Sequence, residues 1–278
     1  MAATFPTHWP ENFETEELDY CANAAVVNTS DLEEPQLHTH RTGQIALNVS
    51  GEVAIQLKEC TLAIPVRCAA WIPAQVPHCG RLSSGAQSVF LMVKMTPEFT
   101  AKLPKEPCRL ILNRMTYEML LYLAAHRPED IGQEHFNALG RVIVDQIALS
   151  KLLPKHLAQI PDHPVLQRIA QNRLRYNNSV SNADLAREVN MTERTLSRLV
   201  LRETGMTLKR WRLQFCLLDS IPHLLTKMPL DEVAQQCGYA TTAAYITAFH
   251  RVLGMTPGRV SRGGLASLDA FDSLGGVE

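Results

Sequence analysis

Two stretches near the C-terminus decide the reading of this chain. The first is Asp184-Leu-Ala-Arg-Glu-Val-Asn190-Met-Thr-Glu-Arg-Thr-Leu196-Ser-Arg-Leu199-Val200. The second is Asp231-Glu-Val-Ala-Gln-Gln-Cys-Gly238-Tyr-Ala-Thr-Thr-Ala-Ala-Tyr245-Ile-Thr-Ala248-Phe249. Each opens as a short helix carrying a small residue, Ala186 or Ala234, which lets a second helix cross closely. Asn190 and Gly238 then stand at matching places, and these residue types best tolerate the left-handed backbone of a sharp turn. A polar cap, Thr192 or Thr241, starts a second helix. Its buried face is Leu196, Leu199 and Val200 in one unit and Tyr245, Ala248 and Phe249 in the other. A small residue, a turn, a cap and an amphipathic helix in that order are the logic of a helix-turn-helix. Ordinary αα-hairpins of an all-helical domain are the bland alternative.

Charge weighs between the two. The whole chain of 278 residues has a formal net charge of −1. Residues 1–162 carry −5, residues 163–262 carry +7, and residues 263–278 carry −3. A basic block on a near-neutral chain is the electrostatic footprint of a polyanion-binding module. Two units with matching turn chemistry inside that block favour double-stranded DNA as the partner.

The block from about Pro164 to Arg262 resembles the DNA-binding domain of AraC/XylS-type transcription regulators. The resemblance is carried by Arg194-Thr-Leu-Ser-Arg-Leu, Glu203-Thr-Gly205-Met-Thr-Leu-Lys-Arg-Trp211-Arg, Gly238-Tyr239 and Phe249-His-Arg-Val-Leu-Gly254-Met-Thr-Pro257. It implies two recognition helices placed in successive major-groove segments by a joining helix, here Thr207–Thr226. By position it makes Arg194, Ser197 and Arg198 base-facing in the first unit, and Thr242, Ala243, Ala244 and Thr247 in the second. Arginine to guanine is the commonest specific contact, so the first helix suits direct readout, whereas the small residues of the second suit thymine methyls and phosphates. Arg202, Lys209, Arg210, His250 and Arg251 read equally as phosphate partners or solvated charges. Pro222 departs from the pattern, because proline inside a helix removes a hydrogen bond and clashes with the preceding turn. The joining helix is therefore kinked at Pro222 or ends early.

The N-terminal part reads differently. Ile45–Val49, Val53–Leu57, Cys60–Ile64, Ala69–Ile72 and Val89–Val93 are short apolar or alternating runs punctuated by Gly51, Pro65, Pro73, Pro77 and Ser83-Ser84-Gly85. Such spacing predicts a small antiparallel barrel or sandwich. Leu110–His126 and Glu134–Leu153 then show helical apolar spacing, with Arg127–Asp130 as the turn between them. His38-Thr-His40, followed by Gln44 and Gly51, and Pro73-Ala-Gln-Val-Pro77-His78 resemble the two cupin motifs, with Gln44 and Gln75 in place of the motifs' Glu and Gly. In metal cupins three histidines and the Glu bind a divalent cation, so His38, His40 and His78 are the metal candidates. The reading without metal is an effector pocket lined by His38, His40, Gln44, Trp71 and His78, although Trp71 equally reads as core. Loss of the motif carboxylate weighs against a firm metal site.

The expected fold class is thus α+β in two domains. An N-terminal cupin-like antiparallel β-barrel with a helical pair precedes a C-terminal all-α double helix-turn-helix domain. Residues 1–23 read as an N-terminal extension, 24–109 as the cupin-like effector-binding barrel and 110–153 as a helical pair suited to dimerisation or to packing on the barrel. Residues 154–163 read as a linker, 164–262 as the DNA-binding domain and 263–278 as a flexible tail.

The exclusions are as informative. No apolar stretch is long enough to cross a bilayer, and the start has no signal-peptide pattern, so the expected compartment is the cytoplasm with no membrane partner. Seven cysteines without CxxC spacing argue against a disulfide framework or a structural zinc site. No nucleophile motif or glycine-rich phosphate loop is present, so the chain does not read as an enzyme. The leading reading is a DNA-binding transcription regulator controlled by a small-molecule effector and acting as a homodimer, with RNA polymerase open as a further partner. The rivals are a cupin enzyme fused to a DNA-binding module and a ligand-independent regulator whose barrel only dimerises it. No cofactor is certain; a divalent metal in the barrel stays open.

Overall fold

The computed structural model describes residues 23–28, 37–51, 53–58, 60–82, 89–153, 157–171 and 180–262. The expected extension up to residue 22, the Ser83-Ser84-Gly85 turn and the tail 263–278 lie outside the described residues.

The N-terminal part is built on two antiparallel sheets. Its strands are β1 (Asn23–Asn28), β2 (Gly43–Ser50), β3 (Val53–Leu57), β4 (Thr61–Ile64), β5 (Cys68–Ile72), β6 (His78–Leu82) and β7 (Val89–Met95). The short helix α1 (Pro97–Thr100) leads to β8 (Cys108–Ile111), then to α2 (Arg114–Ala125), α3 (Pro128–Ile131) and α4 (Gln133–Ala148). Strands β9 (Lys151–Leu153) and β10 (Gln159–Ile160) follow. One sheet has the order β1-β7-β2-β5-β8-β9 and the other the order β10-β4-β3-β6.

The central strands of the six-stranded sheet are buried on both faces, which explains their nearly continuous apolar sequences. Ile45, Leu47, Trp71 and Leu91 on one face pack with Tyr117, Leu120, Phe136 and Ile143 of α2 and α4. Ala46, Ala70, Ile72 and Met92 on the other face pack with Ile55, Leu62 and Ile64 of the second sheet. Gly43 makes room at this layer, since a Cβ there would stand 2.1 Å from the Trp71 ring.

Among the described residues no strand of one sheet is hydrogen-bonded into the other, so the expected closed barrel is an open pair of sheets. Helices α2 and α4 cover the outer face of the larger sheet, whose edges are β1 and β9. The pair thus spends its apolar stripes on its own sheet, and leaves Met115, Tyr122, Val142 and Leu149 exposed.

Two sequence expectations are corrected here. The apolar run at 110 begins as strand β8, and the second helical run ends with Ala148 before β9; short apolar runs do not distinguish strand from helix by period. The stretch 154–163, expected as a linker, contains β10, which pairs with β4, and Leu157 and Ala158 are buried.

The C-terminal part is helical: α5 (Pro164–Gln171), α6 (Asn182–Glu188), α7 (Glu193–Thr204), α8 (Leu208–Asp219), α9 (Ile221–Leu225), α10 (Leu230–Gln236), α11 (Thr242–Leu253) and α12 (Pro257–Ser261). It is tied to the sheets by buried polar contacts. Trp211 Nε1 donates to the Gln159 carbonyl at 3.0 Å, and Ala158 N–H donates to Gln214 Oε1 at 2.8 Å. Arg109, buried on β8, donates to the carbonyls of Ala63 and Leu157. One apolar cluster runs from the second sheet through Leu157 and Ile160 into Trp211, Phe215 and Leu218.

The candidate nucleic-acid interface and the histidine cluster

The first helix-turn-helix unit is α6 and α7. Ser181 caps α6, its Oγ accepting from Asp184 N–H at 3.1 Å. Asn190 takes the turn with φ 56°, and Met191 N–H reaches back to the Ala186 carbonyl at 2.9 Å. Thr192 then caps α7, accepting from Thr195 N–H at 3.2 Å. The second unit repeats the turn and the second cap, while its first helix, α10, starts at Pro229 without a side-chain cap. Gly238 turns with φ 75°, Tyr239 N–H reaches the Ala234 carbonyl at 2.9 Å, and Thr241 caps α11 by accepting from Ala244 N–H at 3.2 Å. Each second helix closes on a left-handed glycine, Gly205 at φ 67° and Gly254 at φ 68°, the conformation in which the missing Cβ matters. Leu196 and Val200 in α7, and Tyr245 and Phe249 in α11, are buried; Ala186 and Ala234 are the close-crossing small residues.

The joining helix ends early. α8 stops at Asp219, and Pro222 falls in the first turn of α9, where its missing N–H is not needed. The break buries Ser220, whose Oγ donates to the Leu217 carbonyl at 2.7 Å and lies 2.8 Å from the Tyr245 hydroxyl. The tyrosine therefore supplies the proton and fixes α11 to the break.

On the surface of these helices Arg194, Arg198 and, half-buried, Ser197 project from α7. Ala243, Ala244 and Thr247 project from α11, with Thr242 half-buried. Thr247 Oγ1 donates to the Ala243 carbonyl at 2.9 Å. Arg202 is paired with Glu203 at 2.8 Å on the surface, whereas Lys209, Arg210, His250 and Arg251 are exposed. A cleft of about 830 Å³ separates the start of α6 from α11, with Lys209, Arg212, Thr247 and Arg251 among its lining. Arg212 is anchored by donating to Asn182 Oδ1 and the Val180 carbonyl, both at 2.6 Å.

The second site lies in the N-terminal part. His38 and His78 form an isolated antiparallel bridge, each donating its N–H to the other's carbonyl at 3.0 Å. Gln75 N–H donates to the His40 carbonyl at 2.9 Å, with Gln75 at φ 63°. This backbone pairing brings the two motifs together. The ring centroids of His38 and His40 lie 4.7 and 4.8 Å from that of His78, and one nitrogen of each of the three lies within 4.8 Å of the others. His40 Nδ1 donates to the Thr42 carbonyl at 2.6 Å and His78 Nδ1 to the Val76 carbonyl at 2.8 Å. The second bond puts the His78 proton on Nδ1, whereas His40 faces an acceptor oxygen at each ring nitrogen, the Thr42 carbonyl and the Gln44 amide oxygen. Burial pushes the His78 imidazole down to about 4, and burial lowers that of His40 as well; the Lys94 ammonium adds to both effects. His78 is therefore neutral at pH 7. Its Nε2 is buried and has no hydrogen-bond partner among the described residues.

Gln44 joins the cluster, its amide oxygen 2.8 Å from His40 Nε2 and its nitrogen 3.1 Å from Met92 Sδ. Trp71 does not. It belongs to the opposite face of the sheet, where its Nε1 donates to the Pro104 carbonyl at 2.8 Å. Period-two alternation on β5 and on its neighbour β2 separates Trp71 and Ile45 from Ile72 and Gln44.

Residues 185–263 match the family model described as a helix-turn-helix domain. That segment carries the two units described above. The HTH-type transcriptional regulator NimR of Escherichia coli strain K12 is 27% identical over 253 residues, spanning 90% of this chain and 89% of that protein. Among solved structures, ToxT from Vibrio cholerae is 12% identical with a TM-score of 0.36, over 87% of this chain and 98% of that one. The C-terminal domain of AraT, a response regulator from Geobacillus stearothermophilus, is 23% identical with a TM-score of 0.34, over 38% of this chain and 90% of that one.

The sequence reading missed several residues that position the helix-turn-helix domain. Trp211 and Gln214 contact β10, and Ser220 meets Tyr245 across 25 residues. Nothing local announces such pairs, because both partners look like ordinary buried positions until the chain is folded. Lys94 beside the histidines was equally silent, a single lysine in an apolar strand.

Proposed function

We propose that this chain is a sequence-specific DNA-binding transcription regulator of the AraC type whose N-terminal part senses a small-molecule effector. The observation that carries the DNA reading is the serial repetition of one unit, with the same turn, cap and glycine stop, each presenting an exposed face on its second helix. The likeness to a transcriptional regulator along nearly the whole chain supports it. Base readout falls to Arg194, Ser197 and Arg198 on α7 and to Thr242, Ala243, Ala244 and Thr247 on α11. Arg202 and Arg251 attract phosphate. Selection of binding sites from random duplex DNA by the full chain should return a motif with two half-sites about one helical turn apart. Affinity for it should fall steeply with salt as phosphate contacts release counterions. Recovery of no enriched sequence would defeat the reading.

The effector site is the cluster of His38, His40, Gln44 and His78. The lone pair on His78 Nε2 can take a hydrogen-bond donor from an effector. A second reading, favoured by the same nitrogen, gives that lone pair to a divalent d-block cation. The donor set fits such an ion: three imidazoles are suitable ligands, and the outer N–H groups of His40 and His78 are already held by backbone carbonyls. The ion would supply a coordination position for an effector. Elemental analysis of purified protein separates the readings. Stoichiometric metal that disappears in His78→Ala supports the second; its absence, with an effector response lost in His40→Ala, supports the first.

Self-association through α2 and α4 completes the proposal, supported by the exposed Met115, Tyr122 and Val142 on the two helices and by Leu149, 81% exposed, at the C-cap of α4. Sedimentation of the full chain as a monomer at working concentration would remove it.

A further inference from the structure

Two cysteines of the helix-turn-helix domain face each other across a helix and a turn. Cys216 lies on α8, and Cys237 is the residue at which α10 ends, directly before the Gly238 turn. Cys216 Sγ approaches the Cys237 carbonyl at 3.5 Å, and Cys237 Sγ approaches the Cys216 carbonyl at 3.7 Å. Reciprocal contacts of this kind put both side chains between the two backbones. Cys216 is partly exposed and Cys237 is buried.

We propose that Cys216 and Cys237 are an oxidation site, a dithiol that a peroxide converts to an intramolecular disulfide. A covalent S–S bond is about 2 Å long and needs the two Cα atoms within about 7 Å, so only thiols on closely apposed backbones can form one, and here each thiol touches the other residue's carbonyl. The chemistry balances in two steps. The partly exposed Cys216 attacks a peroxide oxygen; the O–O bond breaks, one water leaves, and Cys216 becomes a sulfenic acid. Cys237 then attacks that sulfur, forming the S–S bond and expelling the second water. Two thiols lose two electrons and two protons, and one hydrogen peroxide accepts them.

Two other described thiols make the contrast. Burial pushes Cys68 and Cys108 up to about 12, which keeps them protonated and inert. Cys237 is shifted the other way, chiefly by the neighbouring Cys216 thiol, which outweighs burial.

The position gives the disulfide a consequence. Gly238 N–H bonds the Gln235 carbonyl at 2.8 Å, and Tyr239 N–H bonds the Ala234 carbonyl at 2.9 Å, so the turn that sets the angle of α11 begins at Cys237. Tying it to α8 shifts α11 against the joining helix and weakens DNA binding by the second unit. This effect rests on the DNA-binding reading above; the disulfide itself does not.

The test uses full-length protein treated with hydrogen peroxide, alkylated without reductant and digested with trypsin. Cleavage after Arg212, Lys227 and Arg251 places the two cysteines in adjacent peptides, 213–227 and 228–251. The expected product is that pair joined with loss of two hydrogens, released by dithiothreitol and absent from Cys216→Ser and from Cys237→Ser. The oxidised protein should bind a duplex selected by the reduced protein on the order of tenfold more weakly, an ordinary size for coupling between sites. Reductant should restore the affinity, and peroxide-treated Cys216→Ser should keep it. Sulfinic or sulfonic acid on Cys216 without the joined pair overturns the proposal, as does pairing of either cysteine elsewhere. A joined pair with unchanged affinity overturns its effect on DNA while leaving the DNA-binding reading intact; failure of the reduced protein to select any duplex tells against that reading alone.

Discussion

The two helix-turn-helix units share a frame and differ in what they present. In both, a threonine cap, a left-handed turn residue and a closing glycine fix the backbone, and in both a small residue faces a buried amphipathic stripe. Yet over its first two turns α7 exposes the guanidinium groups of Arg194 and Arg198 where α11 exposes Ala243, Ala244 and Thr247. The difference teaches that the frame and the reading are written on separate positions. Buried and turn residues set where a helix lies; exposed residues set what it recognises.

Changes to the frame should have the largest effects and should not discriminate between the units. Leu196→Ala, at a fully buried position, is expected to cost about 2–5 kcal/mol of stability. Denaturant unfolding checks it, and a loss below the surface-mutation range would show that α7 is not packed as described. In the second unit Phe249→Ala, equally buried, should cost about 3–5 kcal/mol.

Changes to the reading come next and should separate the units sharply. Arg198→Ala is expected to weaken binding to a selected duplex by about 1–3 kcal/mol while relaxing preference at one or two base pairs. Its folding stability should stay within about 0.5 kcal/mol of the parent, as for other exposed sites. Paired gel shifts and melts measure both quantities, and a stability loss as large as the binding loss would erase the distinction between frame and reading.

The caps should bring the units back together. Thr192→Ala and Thr241→Ala each remove one bond to a helix N-terminus and should each cost about 1 kcal/mol. Unequal losses would mean that tertiary packing, not capping, holds one of the helices. Smallest is Thr247→Ala, whose hydroxyl is already engaged by the Ala243 carbonyl. Its effect on binding should fall below that of Arg198→Ala, and the reverse order would make α11 the principal reader.

The sequence by itself determined the C-terminal half almost completely. Helix starts, turns and stops depend on neighbours a few residues apart: Thr192 on Thr195, Gly238 on Gln235, Gly254 on His250. Such terms are local, so the residue types announce them. The same local logic foretold that Pro222 would interrupt the joining helix, whereas His38, His40 and His78 were grouped by the resemblance to the two cupin motifs. What the tertiary structure decided depends on distant partners. The two sheets stack as separate layers, and Trp71 leaves the histidines because sheet pairing puts it on the other face. The stretch expected as a linker becomes strand β10 because β4 offers it an edge, and Trp211 and Gln214 offer its polar backbone groups partners. A buried backbone group needs a hydrogen bond from somewhere, and which residue supplies it is settled only when the whole chain has folded.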